Sequence, residues 1–447
     1  MDEEMDLMKQ TQTLVKFKGT DSLIRTAKGD SFKSDWSKNL LRCCKWSADG
    51  GTVLTEAEDR TIRLFENEEK LESFGKTDEH STIDEGSSLD GSNSKDSWEP
   101  SLSLKMADSV LSTAWFPHSG KKDPSRYCFV AAVKDHPIHL IDATHGSIRA
   151  SYPIIDHRER VVAPHSMVFS QDGSTLYAGF DTAIEIFDVY RPGEAGERYK
   201  TLPSRKSRDG QKGIISTLAI DSNRKGVLAA GSFSSQIGLY DTQSNDFSPI
   251  IVFRSKESTG QSQVKFHPYN DQVLFSASRK SNQIHCWDLR YDIRAFHSFY
   301  RPGKTNQRIK FDVDPTGSNL ITGGTDGKIR IYRLDDLSKP AQCFKLHSDS
   351  ISAVEFNPTE LSFMTCSGSR RLNKQSEYFI NSTIPSDDDS SDDNDHSGDD
   401  DEEVDVNATS KKSELNLNSS TVRKLNDSNY KAFDLSTELC LWKYTYT

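Results

Sequence analysis

Long apolar runs are missing from this chain of 447 residues, 34% hydrophobic and 28% charged. Its longest apolar stretches fall far short of the roughly 18 to 20 residues that a membrane-spanning helix needs, so no membrane partner is expected. Met1 to Lys18 mixes acids and bases with no continuous apolar core, so no secretory signal is read there and an intracellular protein is expected. The seven cysteines are odd in number and lack any CxxC spacing, which leaves neither a disulfide framework nor a zinc site legible. Cys43, Cys128, Cys286, Cys366 and Cys440 lie in apolar strand-like runs, where a free thiol packs as a small hydrophobe. Catalytic signatures are absent as well: there is no HExxH, Walker loop or nucleophile elbow. Gly323-Gly324-Thr325-Asp326-Gly327 reads as a strand running into a tight turn, and His136, His139, His157 and His165 have no carboxylate at ligand spacing. The expectation is a non-catalytic monomer with no metal, no cofactor and no small-molecule substrate.

What the chain does have is internal repetition. Seven short segments alternate apolar and polar residues and most end on an aromatic: Cys43-Cys44-Lys45-Trp46, Ser112-Thr113-Ala114-Trp115, Met167-Val168-Phe169, Ser216-Thr217-Leu218-Ala219-Ile220, Gln263-Val264-Lys265-Phe266, Ile309-Lys310-Phe311 and Ala353-Val354-Glu355-Phe356. The later ones recur about every 45 residues. Each is followed by a small-residue strand and then by a second signature, among them Ile62-Arg63-Leu64-Phe65, Ile184-Glu185-Ile186-Phe187-Asp188, Ile284-His285-Cys286-Trp287-Asp288 and Leu439-Cys440-Leu441-Trp442. Period two and β-branched content argue strands. Seven such units predict an all-β fold, a seven-bladed WD-repeat β-propeller, in which radial closure leaves only short, protected sheet edges. Trp287 and Asp288 are read as packing residues. The N-terminal segment, residues 1–30, is a candidate source of a closing strand for a propeller over residues 31–447. The two places proposed for that strand are Leu14 to Phe17 and Ser31 to Trp36.

Two insertions break the period, at about residues 66–99 and about 373–437, both too rich in Ser, Asp and Glu to bury a core and both expected to be disordered. Asp387 to Asp405 alone holds 12 acids and no Lys or Arg, so the formal charge of -11 becomes about +1 without it and the propeller body is neutral to basic. Ser390 and Ser391 precede Asp392-Asp393, the context of an acid-directed phosphorylation site. The acidic block is expected to fold over a basic rim as a phosphate mimic.

Propeller topology places the loops joining the second strand to the third, and the fourth to the next blade, on one face, called the top here. Its candidate RNA-binding residues are Arg158, Arg160, Arg205, Lys206, Arg208, Lys212, Arg279, Lys280, Arg301, Lys304 and Arg308, with Lys134, Arg254, Lys256, Arg370 and Arg371 on the same side. Clustered Lys and Arg release counterions from phosphates and give a steep salt dependence. Phe180 and Phe233, with Tyr300 beside them, supply rings on which unstacked bases stack, which suits single-stranded or looped RNA.

Several strings resemble the telomerase Cajal body protein family, in a fungal-like form. They include Cys44-Lys45-Trp46-Ser47-Ala48-Asp49-Gly50, Asp135-His136-Pro137-Ile138-His139-Leu140, Phe187-Asp188-Val189-Tyr190-Arg191-Pro192-Gly193, Gly210-Gln211-Lys212-Gly213-Ile214-Ile215-Ser216 and Cys286-Trp287-Asp288-Leu289-Arg290. The likeness covers about residues 30–335, and blade seven departs from it through the acidic insertion. It implies a nuclear adaptor, in or near a nuclear body, that binds box H/ACA, small Cajal-body or telomerase-type RNA and its RNP proteins. Fungal members resemble instead adaptors of spliceosomal small nuclear RNPs, and a scaffold that binds only proteins is the remaining alternative.

Overall fold

The computed structural model describes residues 15–17, 22–28, 32, 39–67, 98–204, 206–207, 209–222, 226–244, 247–255, 259–290, 293–368 and 437–446. Among the described residues, seven four-stranded antiparallel sheets follow one another along the chain, six of them meanders of strands a to d and the seventh taking its outermost strand from the N-terminal part of the chain. Blade one is Leu41–Trp46, Thr52–Ala57, Thr61–Glu66 and Leu102–Lys105. The inner strands of blades two to seven are Val110–Trp115, Ser166–Phe169, Ile215–Ile220, Gln261–Phe266, Phe311–Val313 and Ile351–Phe356.

Burial follows radius. The b strands Thr52–Ala57, Cys128–Val133 and Ser362–Ser367 are buried at every position, whereas the outermost strands Leu102–Lys105 and Gln342–Lys345 alternate half-buried with exposed, as one-faced strands must. Between blades the sheets come close enough to demand small residues. A Cβ on Gly231 would stand 2.7 Å from Thr217 Cγ2 and 2.9 Å from Gln261 Cβ, which only glycine avoids.

The a–b register is interrupted at the same place in blades one, two, four, five and seven, so that Arg42, Leu111, Ser216, Ser262 and Ser352 are each an extra residue in the inner strand. These bulges serve as joints. Ser216 Oγ donates to Gln261 O of the next blade at 2.7 Å, Ser352 Oγ donates to Leu41 O at 2.6 Å, and Ser166 Oγ in blade three donates to Ile215 O at 2.8 Å. In blade one Arg42 takes the serine's place, and its Nη1 donates to Val110 O of blade two at 2.8 Å.

Strand c aromatics are fastened to the top loops. Trp442 Nε1 donates to Thr365 Oγ1 at 2.8 Å, that hydroxyl lies 2.6 Å from His347 Nε2, and His347 Nδ1 lies 2.9 Å from Glu438 Oε2. In blade four the same job falls to Tyr240, which donates to Gln211 Oε1 at 2.8 Å. Trp287 is 3% exposed and donates to Ser276 Oγ, while Asp288 pairs with Arg290 at the surface, as packing residues should.

Two boundaries need correcting. The strand that completes blade seven is Leu23–Lys28, paired with Glu438–Lys443, and neither proposed place supplies it. Val15–Lys16 pairs with Thr445–Tyr446 in a separate two-stranded ribbon, and of residues 31–36 only Phe32, buried near Phe65, is described. Blade six begins its inner strand at Phe311, two residues later than its repeat signature suggested. Asp312 then accepts from Phe356 N of blade seven at 2.8 Å. Most of both insertions, with Ser390, Ser391 and the acidic block, lies outside the described residues.

Candidate nucleic-acid interface

The inner strands enclose a channel. In four blades the residue just before the aromatic that ends the repeat signature is charged and lines its cavities: Lys45, Lys265, Lys310 and Glu355. At mid-depth a cavity of about 330 Å³ is lined by Lys45, Thr113, Gln263, Lys310 and Glu355, among others. Above it, sharing Lys45, Ser112, His165, Arg308 and Lys310, opens a larger cavity of about 650 Å³. It is walled by Leu40 and Arg42 of blade one, Phe233 and Arg279 at the ends of b strands in blades four and five, and the loop Thr305 to Arg308 leading into blade six.

The lower wall is a network of paired charges. Lys45 Nζ lies 3.3 Å from Glu56 Oε1 and 3.1 Å from Thr113 Oγ1, and the Thr113 hydroxyl donates to Glu56 at 2.6 Å. Burial opposes ionisation of Glu56, yet Lys45, Lys310 and the Thr113 hydroxyl outweigh it and hold the carboxyl down to about 2. Lys265 pairs with Asp312. Lys310 Nζ lies 2.7 Å from Cys43 Sγ, whose thiol burial pushes up. Glu355 is the exception. Burial and the neighbouring Asp312 push its carboxyl up to about 7 against the pull of Lys265, Lys310 and Lys45.

At the mouth, cations outnumber acids among the described lining residues, five to two: Arg42, Lys45, Arg279, Arg308 and Lys310 against Glu56 and Glu58. The Arg279 guanidinium lies over the Phe233 ring, 4.2 Å from its centroid, and the His165 ring meets Phe233 edge-on at 6.4 Å. Burial lowers the His165 pKa, and Arg308 and Arg279 lower it further, so the imidazole is neutral at pH 7.

Of the residues chosen from sequence, Phe233, Arg279 and Arg308 therefore meet at one cavity. Lys280 and Lys304 are exposed beside it, and Lys280 N donates to Thr305 O at 2.9 Å. Others stand elsewhere. Arg158 and Arg160 are exposed, with Arg160 paired to Asp156 at 2.8 Å, and Phe180 lies under the Arg198 guanidinium at 4.9 Å. Lys206 is exposed, Lys212 is half-buried, and Arg205 and Arg208 lie outside the described residues. Arg301 is a correction: it is 2% exposed and its Nη1 donates to Ile309 O at 2.7 Å, so its guanidinium serves the joint between blades five and six and offers no charge to the face.

Sequence reasoning missed Arg42, Lys45 and Lys310. For Lys45 and Lys310 the signal was present in the repeat, where a charged residue precedes the terminal aromatic. Three further groups, His347, Glu438 and Cys440, have ligand atoms within 4.8 Å of one another, but both His347 nitrogens are engaged in the relay that holds Trp442.

These features define a WD-repeat propeller with a cationic channel mouth. A profile for the WD domain, G-beta repeat, matches residues 30–66 and 302–333. The chain is a homologue of the telomerase Cajal body proteins over about three quarters of its length. It is 32% identical over 340 residues to telomerase Cajal body protein 1 of Mus musculus, which covers 75% of this chain and 60% of that protein. With the Homo sapiens protein of the same name it shares 30% over 345 residues, 76% of this chain and 59% of the relative. It is also 28% identical over 340 residues to guanine nucleotide-binding protein negative regulator 1 of Schizosaccharomyces pombe, covering 74% and 80% respectively. The chain thus spans about 60% of the length of the two Cajal body relatives.

Proposed function

We propose that this chain is a non-catalytic nuclear adaptor that binds a small non-coding RNA of the box H/ACA, small Cajal-body or telomerase type and helps it fold, localise or assemble with its RNP proteins. The observation that carries this reading is the pairing of Phe233 with Arg279 at a cavity whose lining is cationic. A flat guanidinium on a ring offers a stacking surface for an unpaired base, and the surrounding cations suit its phosphates. The names of the mammalian relatives point to the same RNP class. The repeat architecture supports a platform rather than an enzyme.

The reading is tested by fluorescence anisotropy with a box H/ACA hairpin and, as a charge-matched competitor, inorganic polyphosphate. Phe233→Ala and Arg279→Gln are each expected to weaken hairpin binding about fivefold or more, because base stacking contributes about 1 to 3 kcal/mol per base. Polyphosphate should compete poorly with the wild-type complex. Equal affinity for both polyanions, unchanged by either substitution, would leave a protein-only scaffold as the better account.

A further inference from the structure

The mouth holds a second feature besides the Phe233 platform. Arg42 arrives on the blade-one bulge, Arg279 at the end of a b strand, and Arg308 in the last residues before the blade-six inner strand, so three separate elements turn guanidinium groups into one cavity. Arg42 is paired with Glu58 and donates to Val110 O, but the charges of Arg279 and Arg308 are poorly compensated. Arg279 Nε is buried and has no hydrogen-bond partner. Among the described residues, no hydrogen bond or ion pair holds the Arg308 guanidinium. The two carboxylates of the lining have other partners: Glu58 lies 3.8 Å from Arg42, and Glu56 is held by Lys45 and Thr113. The three arginines also feel one another. Burial first, then Arg279 and Arg42, lower Arg308 to about 10, and burial followed by Arg42 lowers Arg279. Lowered only to about 10, Arg308 stays protonated at pH 7.

We propose that Arg42, Arg279 and Arg308 form a seat for one phosphoryl group, the phosphate of a nucleotide turned into the channel mouth. The seat deepens the RNA reading above and rests on it for the source of the phosphate. Guanidinium forks match phosphate oxygens two at a time, which a lysine ammonium does not. A cavity of about 650 Å³ has room for base and sugar as well as phosphate. Desolvated like charges without partners weaken a fold, and they persist where a ligand of opposite charge completes them. The same chemistry would accept a free oligophosphate, so the test separates the two sources.

The full chain and its Arg308→Gln and Arg308→Lys variants are melted with and without inorganic pyrophosphate, and their affinities for the hairpin are measured in parallel. Pyrophosphate is expected to raise the wild-type Tm by several degrees. Arg308→Gln should melt higher than wild type without anion, lose the pyrophosphate shift, and bind the hairpin at least tenfold more weakly. Arg308→Lys, which keeps the charge but loses the fork, should fall between them. If pyrophosphate protection is lost while hairpin affinity is unchanged, the seat stands with a free oligophosphate as its ligand and its assignment to RNA fails. If pyrophosphate shifts wild type and Arg308→Gln alike, or if Arg308→Gln melts lower than wild type without anion, the seat is overturned. The RNA reading would then be decided by Phe233→Ala and Arg279→Gln alone.

Discussion

The two levels of the channel are built differently, the lower from inner-strand residues and the mouth largely from b-strand ends and the loop Thr305 to Arg308, and their cations are balanced differently. At the lower level Lys45 has Glu56 and Lys265 has Asp312 as ion-pair partners, while Lys310 meets the Cys43 thiol, a hydrogen-bond partner without charge. At the mouth, among the described residues, Arg279 and Arg308 have no ion-pairing carboxylate of their own. A buried cation with its partner in place is part of the fold, because removing either member strands the other charge in a poorly solvated site. A cation left unmatched on a cavity wall adds repulsion to the folded state and is better accounted for by something that arrives later. The contrast assigns the lower network to stability and the mouth to binding.

Lys45→Met should give the largest effect. It leaves Glu56 buried with the Thr113 hydroxyl but without its nearest cation. Breaking a buried pair from one side costs about 3 to 5 kcal/mol, so the urea midpoint should fall well below wild type. Arg308→Gln should move it the other way. If both substitutions destabilise alike, the division between the two levels collapses.

Glu355 sharpens the comparison from within the lower network, because there it is the acid whose carboxyl the surroundings push up, to about 7. A folded pKa above the unfolded carboxyl value of about 4.3 means that the native state binds the extra proton between those two values. Its contribution is therefore fully present below about pH 4.3 and is lost as pH rises through 7. Glu56 runs oppositely: held down to about 2, it contributes stability above about pH 4.3 that disappears as pH falls toward 2. Glu355→Gln should raise stability at pH 8 and flatten the pH dependence between 5 and 7, leaving the acid limb below pH 4 in place. Urea midpoints from pH 3 to 8 measure both limbs. An unchanged slope between pH 5 and 7 would remove Glu355 from that role.

The seven blades were legible because each inner strand has to satisfy two neighbours at once, which forces period two and a terminal aromatic on the sequence. Closure was less legible. Leu23–Lys28 is an outermost strand with one face in solvent, and its alternation is too weak to distinguish it from Leu14 to Phe17. Blade six slipped by two residues because Ile309-Lys310-Phe311 has the repeat signature but only Phe311 lies in the strand. For the mouth, loop topology named Phe233, Arg279 and Arg308, which line one cavity, but admitted Arg301, since topology gives the face and says nothing of depth. Arg42 was missed for the opposite reason. It occurs inside a strand, and only the bulge that Ser216, Ser262 and Ser352 share shows that this position turns away from the ladder toward the next blade.

Depth also sets the smallest expected effect. Lys304 is exposed and immediately precedes the mouth loop Thr305 to Arg308, so it has Arg308's sign of charge without its burial. In water a single ammonium contributes to RNA affinity chiefly by counterion release. Lys304→Gln should therefore weaken hairpin binding only a few-fold and lower the slope of log affinity against log salt by about 1. Stability should stay within about 0.5 kcal/mol of wild type, because an exposed lysine without a fixed partner supports nothing in the fold. Titrations at four salt concentrations read the slope directly. A loss at Lys304 as large as that at Arg308, persisting at high salt, would mean that burial does not distinguish the two and that the binding determinant is the whole basic rim rather than the channel mouth.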